Sequence, residues 1–219
     1  MVSAILLGAG ESKRMGKDKL MLPWGKTTVF EHCLNTLLQS ELVEVVVVVR
    51  PRSKLFGRGM KGYNTFKRKK IKVAVNPDYQ RGMSSSILRG LRYVDLGSRG
   101  ILIALGDQPL LKARTINALI HAFRQGEGKI TVPFYNGERG NPILFDRSYI
   151  KDLKKLRGDT GGRRILERHP DKVVRVRTRS AGVVKDIDSW GEYLRQTGRG
   201  EAKGLRRGVG WRRKKDRVS

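Results

Sequence analysis

The chain alternates short, densely apolar runs with longer amphipathic ones. Val2–Leu7, Val43–Val49, Ile71–Val75 and Ile101–Leu105 are compact apolar segments rich in β-branched residues, and they read as strands buried on both faces. Glu44 is the one polar interruption in the second of them. Between these runs the spacing changes to that of a helix. One helix is predicted from Thr27 or Thr28 to about Ser40, with Phe30, Leu34, Leu37 and Leu38 on one face. A second opens at Ser84 to Ser86 and runs to about Val94, and a third spans Thr115–Arg124. Lys129–Pro133 reads as a strand, and Asn136-Gly137 is a hairpin turn signal with a strand on either side. Ser148–Leu156 and Arg163–Arg168 read as helices and Val173–Val176 as a strand. Ala181-Gly182 reads as a turn before Val183-Val184, and a last helix follows Trp190 to about Leu194. Arg52–Lys70 is rich in Gly, Lys and Arg and is expected to be a short helix or an irregular connection. Strands alternating with helices predict an α/β protein: a Rossmann-like, mostly parallel sheet with helices on both faces. The hairpin and the last strands are expected to add a small β element.

Length and composition leave that picture intact and add partners to it. A chain of 219 residues suits one sizeable domain, placed at 1–197, followed by a basic tail at 198–219 whose composition favours disorder. No apolar run reaches bilayer length, and Val2–Leu7 is too short for a signal peptide. Cys33 is the only cysteine, which excludes an intramolecular disulfide and a cysteine zinc site. A cytoplasmic protein is the economical expectation. The net charge of +27 implies attraction to polyanions and says nothing about fold. The tail holds nine Lys/Arg against two Asp/Glu, so the body is strongly basic as well.

The candidate chemistry begins where the first strand ends. Ala4-Ile5-Leu6-Leu7 runs into Gly8-Ala9-Gly10-Glu11-Ser12, and Lys13, Arg14, Lys17 and Lys19 follow at once. A buried strand ending in a glycine-rich turn lets backbone N–H groups approach an anion, and cations just downstream can neutralise a polyphosphate. This points to a nucleoside triphosphate site at the carboxyl end of the first strand. Two common phosphate motifs do not fit. Lys13 stands where the dinucleotide fingerprint needs its third glycine. Gly10 and Gly16 are one residue too far apart for a P-loop, and Asp18 follows Lys17.

LLGAGESKRMGKDKLMLP does resemble, nearly position by position, the first motif of the MobA-like NTP transferases, the family related to the molybdenum cofactor enzymes. Gly8 stands where alanine is usual. The resemblance implies that Leu7, Gly8, Ala9 and Gly10 line the base and ribose, with Ser12 in the same loop. Arg14 would hold the phosphates and Lys19 the α-phosphate. A second stretch, Asn76-Pro77-Asp78-Tyr79-Gln80-Arg81-Gly82-Met83-Ser84-Ser85-Ser86, resembles the family's next loop and adds Asn76, Gly82, Ser84 and Ser86 to the nucleotide site. Read from its residues alone it is a turn and a helix N-terminus with free N–H groups, or a plain serine cap.

Gly106-Asp107-Gln108-Pro109-Leu110 places a carboxylate just past a buried strand. Asp107 there can hold Mg²⁺ or cap a turn, and the resemblance implies the metal role. Lys185-Asp186-Ile187-Asp188 resembles the family's second acidic motif. Asp188 is the expected second ligand, with Asp186 as fallback and helix capping as the plain alternative. Ser189-Trp190 replaces the usual Thr-Pro, and Tyr193 replaces an aspartate. Gly140-Asn141-Pro142 carries Asn141 where histidine is usual, and Gly158-Asp159-Thr160-Gly161-Gly162-Arg163 follows. These imply an acceptor site of Arg139, Gly140, Pro142, Asp159, Gly161 and Arg163.

The implied enzyme is a Mg²⁺-dependent nucleotidyltransferase with Arg14, Lys19 and Asp107 as catalytic groups. The first loop and Gly82-Met83-Ser84 resemble the cytidylyltransferases more than the guanylyltransferases, so CTP is the expected donor and molybdopterin the expected acceptor. GTP or a sugar phosphate would suit the same fold. Charge and tail also admit a rival of another class, a nucleic-acid-binding protein without activity.

Overall fold

The computed structural model describes residues 1–56, 70–126 and 129–198. The basic tail and most of the Arg52–Lys70 connection lie outside the described residues. At the centre of the main sheet is β1 (Val2–Gly8), parallel on one side to β4 (Glu44–Val49) and on the other to β6 (Gly100–Leu105). Two further strands, β2 (Pro23–Trp24) and β3 (Thr27–Thr28), form a separate two-stranded sheet around Gly25 that periodicity did not announce. Beyond β4 lies β5 (Ile71–Val75). Beyond β6 come β9 (Ile143–Asp146), β7 (Ile130–Tyr135) and β10 (Val173–Arg177), giving the order β5-β4-β1-β6-β9-β7-β10. Only β9 and the short β8 (Glu138–Arg139), paired to β7, run against the rest.

Both faces of β1 are apolar because both are covered. Ala4 and Leu6 face α1 (Val29–Leu38) and α3 (Ala113–Arg124), meeting Phe30, Leu34, Leu37, Ile116 and Leu119. Ile5 faces the other layer, where α2 (Met83–Leu91), α4 (Ile150–Lys155) and α5 (Arg163–Arg168) contribute Ile87, Leu153, Ile165 and Leu166. Each such side chain contributes about 1.5–3 kcal/mol on burial. Thr28 and Glu31 form a reciprocal capping box that starts α1. Glu44 is no defect in β4. It is buried and accepts hydrogen bonds from Ser3 Oγ (2.8 Å) and Asp95 N (2.7 Å), with the Lys72 ammonium at 2.7 Å.

The hairpin forms at Asn136-Gly137, both residues at positive φ as its turn requires. The last strand, β10, extends the main sheet as an edge parallel to β7, and Ala181–Val183 is a 3₁₀ turn. The chain leaves β1 for β4 on one side and reaches β6 on the other, so the carboxyl ends of β1 and β6 form a topological switch point, the place where open α/β sheets hold ligands. The closing helix, α6 (Trp190–Gln196), packs back over the loop that follows β1. Ile187 and Tyr193 bury against Met15, Leu22 and Val29, Tyr193 Oη donates to Pro23 O (2.6 Å), and Trp190 Nε1 donates to Met15 O (3.2 Å). Among the described residues no helix is long and apolar enough to cross a membrane.

Candidate active site

A cleft of about 500 Å³ opens at the switch point. Its floor is the loop after β1. Ser12 adopts a left-handed backbone (φ 54°), a conformation that costs a non-glycine residue about 1–3 kcal/mol. Local bonds hold it there: Ser12 O accepts from Met15 N (3.0 Å) and Ser12 Oγ from Lys19 N (3.1 Å). Asp18 caps the next turn, and Arg50, just past β4, reaches both Asp18 (2.6 Å) and Gly10 O (3.2 Å). Gly8 must lack a side chain, since a Cβ there would lie 2.6 Å from the Phe30 ring.

The charged centre joins residues distant in sequence. Lys19 Nζ lies 2.6 Å from Asp107 Oδ2 and 2.7 Å from Asp188 Oδ1. Arg14 meets the other oxygen of Asp188 at 2.7 Å. Asp188 arrives here because Ile187 N donates to Asp107 O (3.0 Å) and α6 is docked beside it. Burial alone would lower the Lys19 pKa, but Asp107 and Asp188 outweigh it and the pKa is raised. Burial likewise works to raise Asp188, yet Lys19 and Arg14 overcome it and hold the carboxyl below its ordinary value. Asp186 is pushed up by burial, then by the charges of Asp188 and Asp107.

Asp107 Oδ1 is buried with no hydrogen-bond partner among the described residues. An orphaned carboxylate oxygen is rare in a folded interior. It is a ready ligand for a hard cation, and Mg²⁺ needs only one or two carboxylates when phosphates complete its shell. Among the described residues no three acidic, imidazole or thiol groups gather as a metal cage, so a two-carboxylate set is what the geometry offers.

Of the residues expected in the nucleotide site, Leu7, Ala9, Gly10, Ser12, Arg14, Lys19, Gly82 and Ser86 line the cleft, as do the expected metal ligands Asp107 and Asp188 and, from the expected acceptor site, Asp159. Asn76, Gly8 and Ser84 do not. Asn76 is buried and braces the second loop, donating to Ser85 Oγ (2.9 Å) and Ser86 Oγ (3.0 Å), and Ser84 N donates to Gly158 O (3.1 Å). Arg139, Gly140, Pro142, Gly161 and Arg163 lie off the cleft wall. Gly140 packs against Val183, and Arg163 pairs with Glu167 at 3.0 Å on the surface. Asp186 also stays outside, its carbonyl accepting from Gln196 Nε2 (2.8 Å). Tyr79, Gln80 and Met83 line the cleft although only the surrounding motif singled them out, and the clamp by Arg50 had no sequence signal beyond its position at a strand end.

The two loops meet at Gly82. Its φ is +94°, and an added Cβ would strike the Gly158 backbone and sit 2.6 Å from Asp159 N. Gly82→Ala is expected to destabilise the fold by about 2–4 kcal/mol, combining backbone strain and overpacking. Urea unfolding at neutral pH checks this, with Gly25→Ala as the comparison, since Gly25 has φ +60° but nothing within 4 Å.

A family model described as the MobA-like NTP transferase domain matches residues 4–173. The purine catabolism protein PucB of Bacillus subtilis is 32% identical over 192 residues, 86% of this chain and 92% of PucB. The molybdenum cofactor cytidylyltransferase of Escherichia coli is 25% identical over 193 residues, covering 88% of this chain and 94% of its own. The crystal structure of an Rv0371c homologue from Mycobacterium sp. strain JC1 superposes with a TM-score of 0.77 at 28% identity, over 90% of this chain and 95% of that one.

Proposed function

The chain belongs to the MobA-like NTP transferase family, and on that premise we propose that it transfers CMP from CTP to the phosphate of molybdopterin, releasing pyrophosphate. The observation that carries this reading is the convergence of Arg14, Lys19, Asp107 and Asp188 over a glycine-containing loop at the switch point. An acceptor phosphate oxygen forms a bond to the α-phosphorus, and the bond to the bridging oxygen of pyrophosphate breaks. Such a step asks for in-line positioning and for charge stabilisation more than for covalent chemistry. Arg14, at the open rim, grips the leaving pyrophosphate. Lys19 meets the charge that develops on the α-phosphate oxygens. Asp107 and Asp188 would hold Mg²⁺, which supplies positive charge to the phosphates when bound. The loop carrying Asp159 borders the cleft beside Met83, and the acceptor is assigned to that side.

CTP is favoured by the form of the two loops and by the near full-length similarity to the E. coli cytidylyltransferase. The test is pyrophosphate release with Mg²⁺ and each NTP in turn, molybdopterin as acceptor, beside an Asp107→Ala control. Release with CTP alone, lost in the control, is expected. Release with GTP, or with a sugar phosphate as acceptor, would replace that part of the proposal. CTP at a hundred times its dissociation constant should add about 2.7 kcal/mol of stability. If CTP gives neither thermal protection nor turnover, the reading fails. Turnover should survive removal of residues 198–219. An inactive protein whose polynucleotide affinity falls steeply with salt would instead identify the nucleic-acid-binding alternative.

A further inference from the structure

Away from the cleft, four arginines come from neighbouring elements at one edge of the sheet, and one of them lies over a phenyl ring. Arg177 on β10 is in register with Phe134 on β7, and Phe134 is in register with Arg139 on β8, so the three side chains rise from one face of the sheet. Arg175, two residues before Arg177 and on the same face, sits with its guanidinium carbon 5.1 Å from the centre of the Phe134 ring. Arg163 opens α5 close enough that its charge, after burial, depresses the pKa of half-buried Arg139, and the Glu167 carboxylate offsets this only in part. Among the described residues no ion pair joins a carboxylate to Arg139, Arg175 or Arg177, and Arg163 alone has one, with Glu167. None of the four lines the cleft.

Gathering like charges around a partly desolvated guanidinium is unfavourable unless something negative completes the cluster. Arginine forks match the oxygens of phosphate in two-point hydrogen bonds, and several together select for more than one negative charge. We propose that Arg139, Arg163, Arg175 and Arg177, with Phe134 as an apolar floor, form a second anion site that takes a doubly charged phosphate or phosphate ester. The loop from Asp159 to Arg163 links it to the cleft, with Asp159 on the cleft wall and Arg163 in the cluster. Binding at this site stands apart from the proposed transferase activity. Naming its occupant as the distal anionic end of the acceptor rests on that activity, and a free phosphate acting as regulator has the same chemistry.

The test uses the full chain, isotope-labelled and titrated with inorganic phosphate at constant ionic strength. Saturable shifts of the Arg139 and Arg177 amides are expected, with affinity reduced about tenfold in the double variant Arg175→Gln/Arg177→Gln. Both side chains are exposed, so the variant folds, and its unliganded melting temperature verifies this. Arg14→Gln, in the cleft, should retain the shifts. Undiminished phosphate binding in the double variant, or loss confined to Arg14→Gln, overturns the site whether or not any nucleotide is transferred. With turnover established, a raised acceptor KM at unchanged kcat and nucleotide KM identifies the acceptor's end as occupant. An unchanged acceptor KM, with a phosphate effect on rate present in wild type and lost in the variant, identifies a regulatory anion. Phosphate binding with neither effect means an adventitious ion only and overturns the functional claim.

Discussion

Replacing Lys19 with methionine is expected to lower nucleotidyl transfer about 10²–10³-fold and, in the same protein, to tighten Mn²⁺ binding measured without nucleotide. The loss follows from removing a preorganised cation aimed at charge that develops in the transition state. The gain follows from where the ammonium rests. It lies 2.6 Å from Asp107 and 2.7 Å from Asp188, between the two carboxylates proposed to hold the metal. A cation in that seat neutralises the pair and competes with a divalent ion. Without it the carboxylates repel, and a divalent ion relieves them more strongly. Methionine keeps the apolar stem, so packing against the loop is retained. Stability without metal should fall at neutral pH. The Lys19 pKa is raised above its ordinary 10.5, so the charged form stabilises the fold below that value, and the contribution disappears only as pH climbs through the higher folded pKa. Mn²⁺ titration followed by electron paramagnetic resonance, beside steady-state kcat, decides the matter. Weaker or unchanged metal affinity would show that Lys19 does not share the seat.

The architecture was legible wherever a short run of residues decides it. Val2–Leu7 could be read as a buried strand because Ala4-Ile5-Leu6-Leu7 runs unbroken into Gly8, and the start of α1 was narrowed to Thr27 or Thr28, of which Thr28 is the cap. Asp107 was legible as a candidate because a carboxylate follows a buried strand directly, and the fold brings it to the cleft wall. What escaped depends on contacts between distant segments. Arg50 read as the end of a strand, and only the fold brings it to Asp18 and Gly10. Glu44 read as an interruption, since nothing local announces Ser3 and Lys72 as its partners. Asn76 read as a nucleotide contact, and only the fold shows its side-chain nitrogen bonded to Ser85 and Ser86. The convergence of Asp188 on Lys19 required α6 to dock through Tyr193 and Trp190, a tertiary event that no spacing encodes.

The two aspartates before α6 should respond to the same substitution with opposite signs. Asp188→Asn is expected to reduce metal-dependent turnover at least about 10²-fold, since it weakens both the metal seat and the bond to Lys19. It should also destabilise the metal-free protein at neutral pH. The Asp188 pKa is lowered from 3.8, so its ionised form stabilises the fold above that value, and the contribution is lost as pH falls through the folded pKa. Asp186 lies two residues away and faces the reverse situation. Its pKa is raised from 3.8 by burial and by the neighbouring carboxylates, so the folded state favours the protonated form and carries a penalty once pH rises through the folded pKa. Asp186→Asn should therefore stabilise at pH 7, the gain shrinking as pH drops through the raised folded pKa and vanishing below 3.8. Its turnover should stay within a few-fold of wild type, because its side chain is off the cleft wall. Urea unfolding of both variants at neutral and acid pH, with turnover measured in parallel, tests the pair. Loss of turnover in Asp186→Asn with retention in Asp188→Asn would exchange their roles. Equal loss in both would mean that the chain delivers two carboxylates to the metal from one short segment.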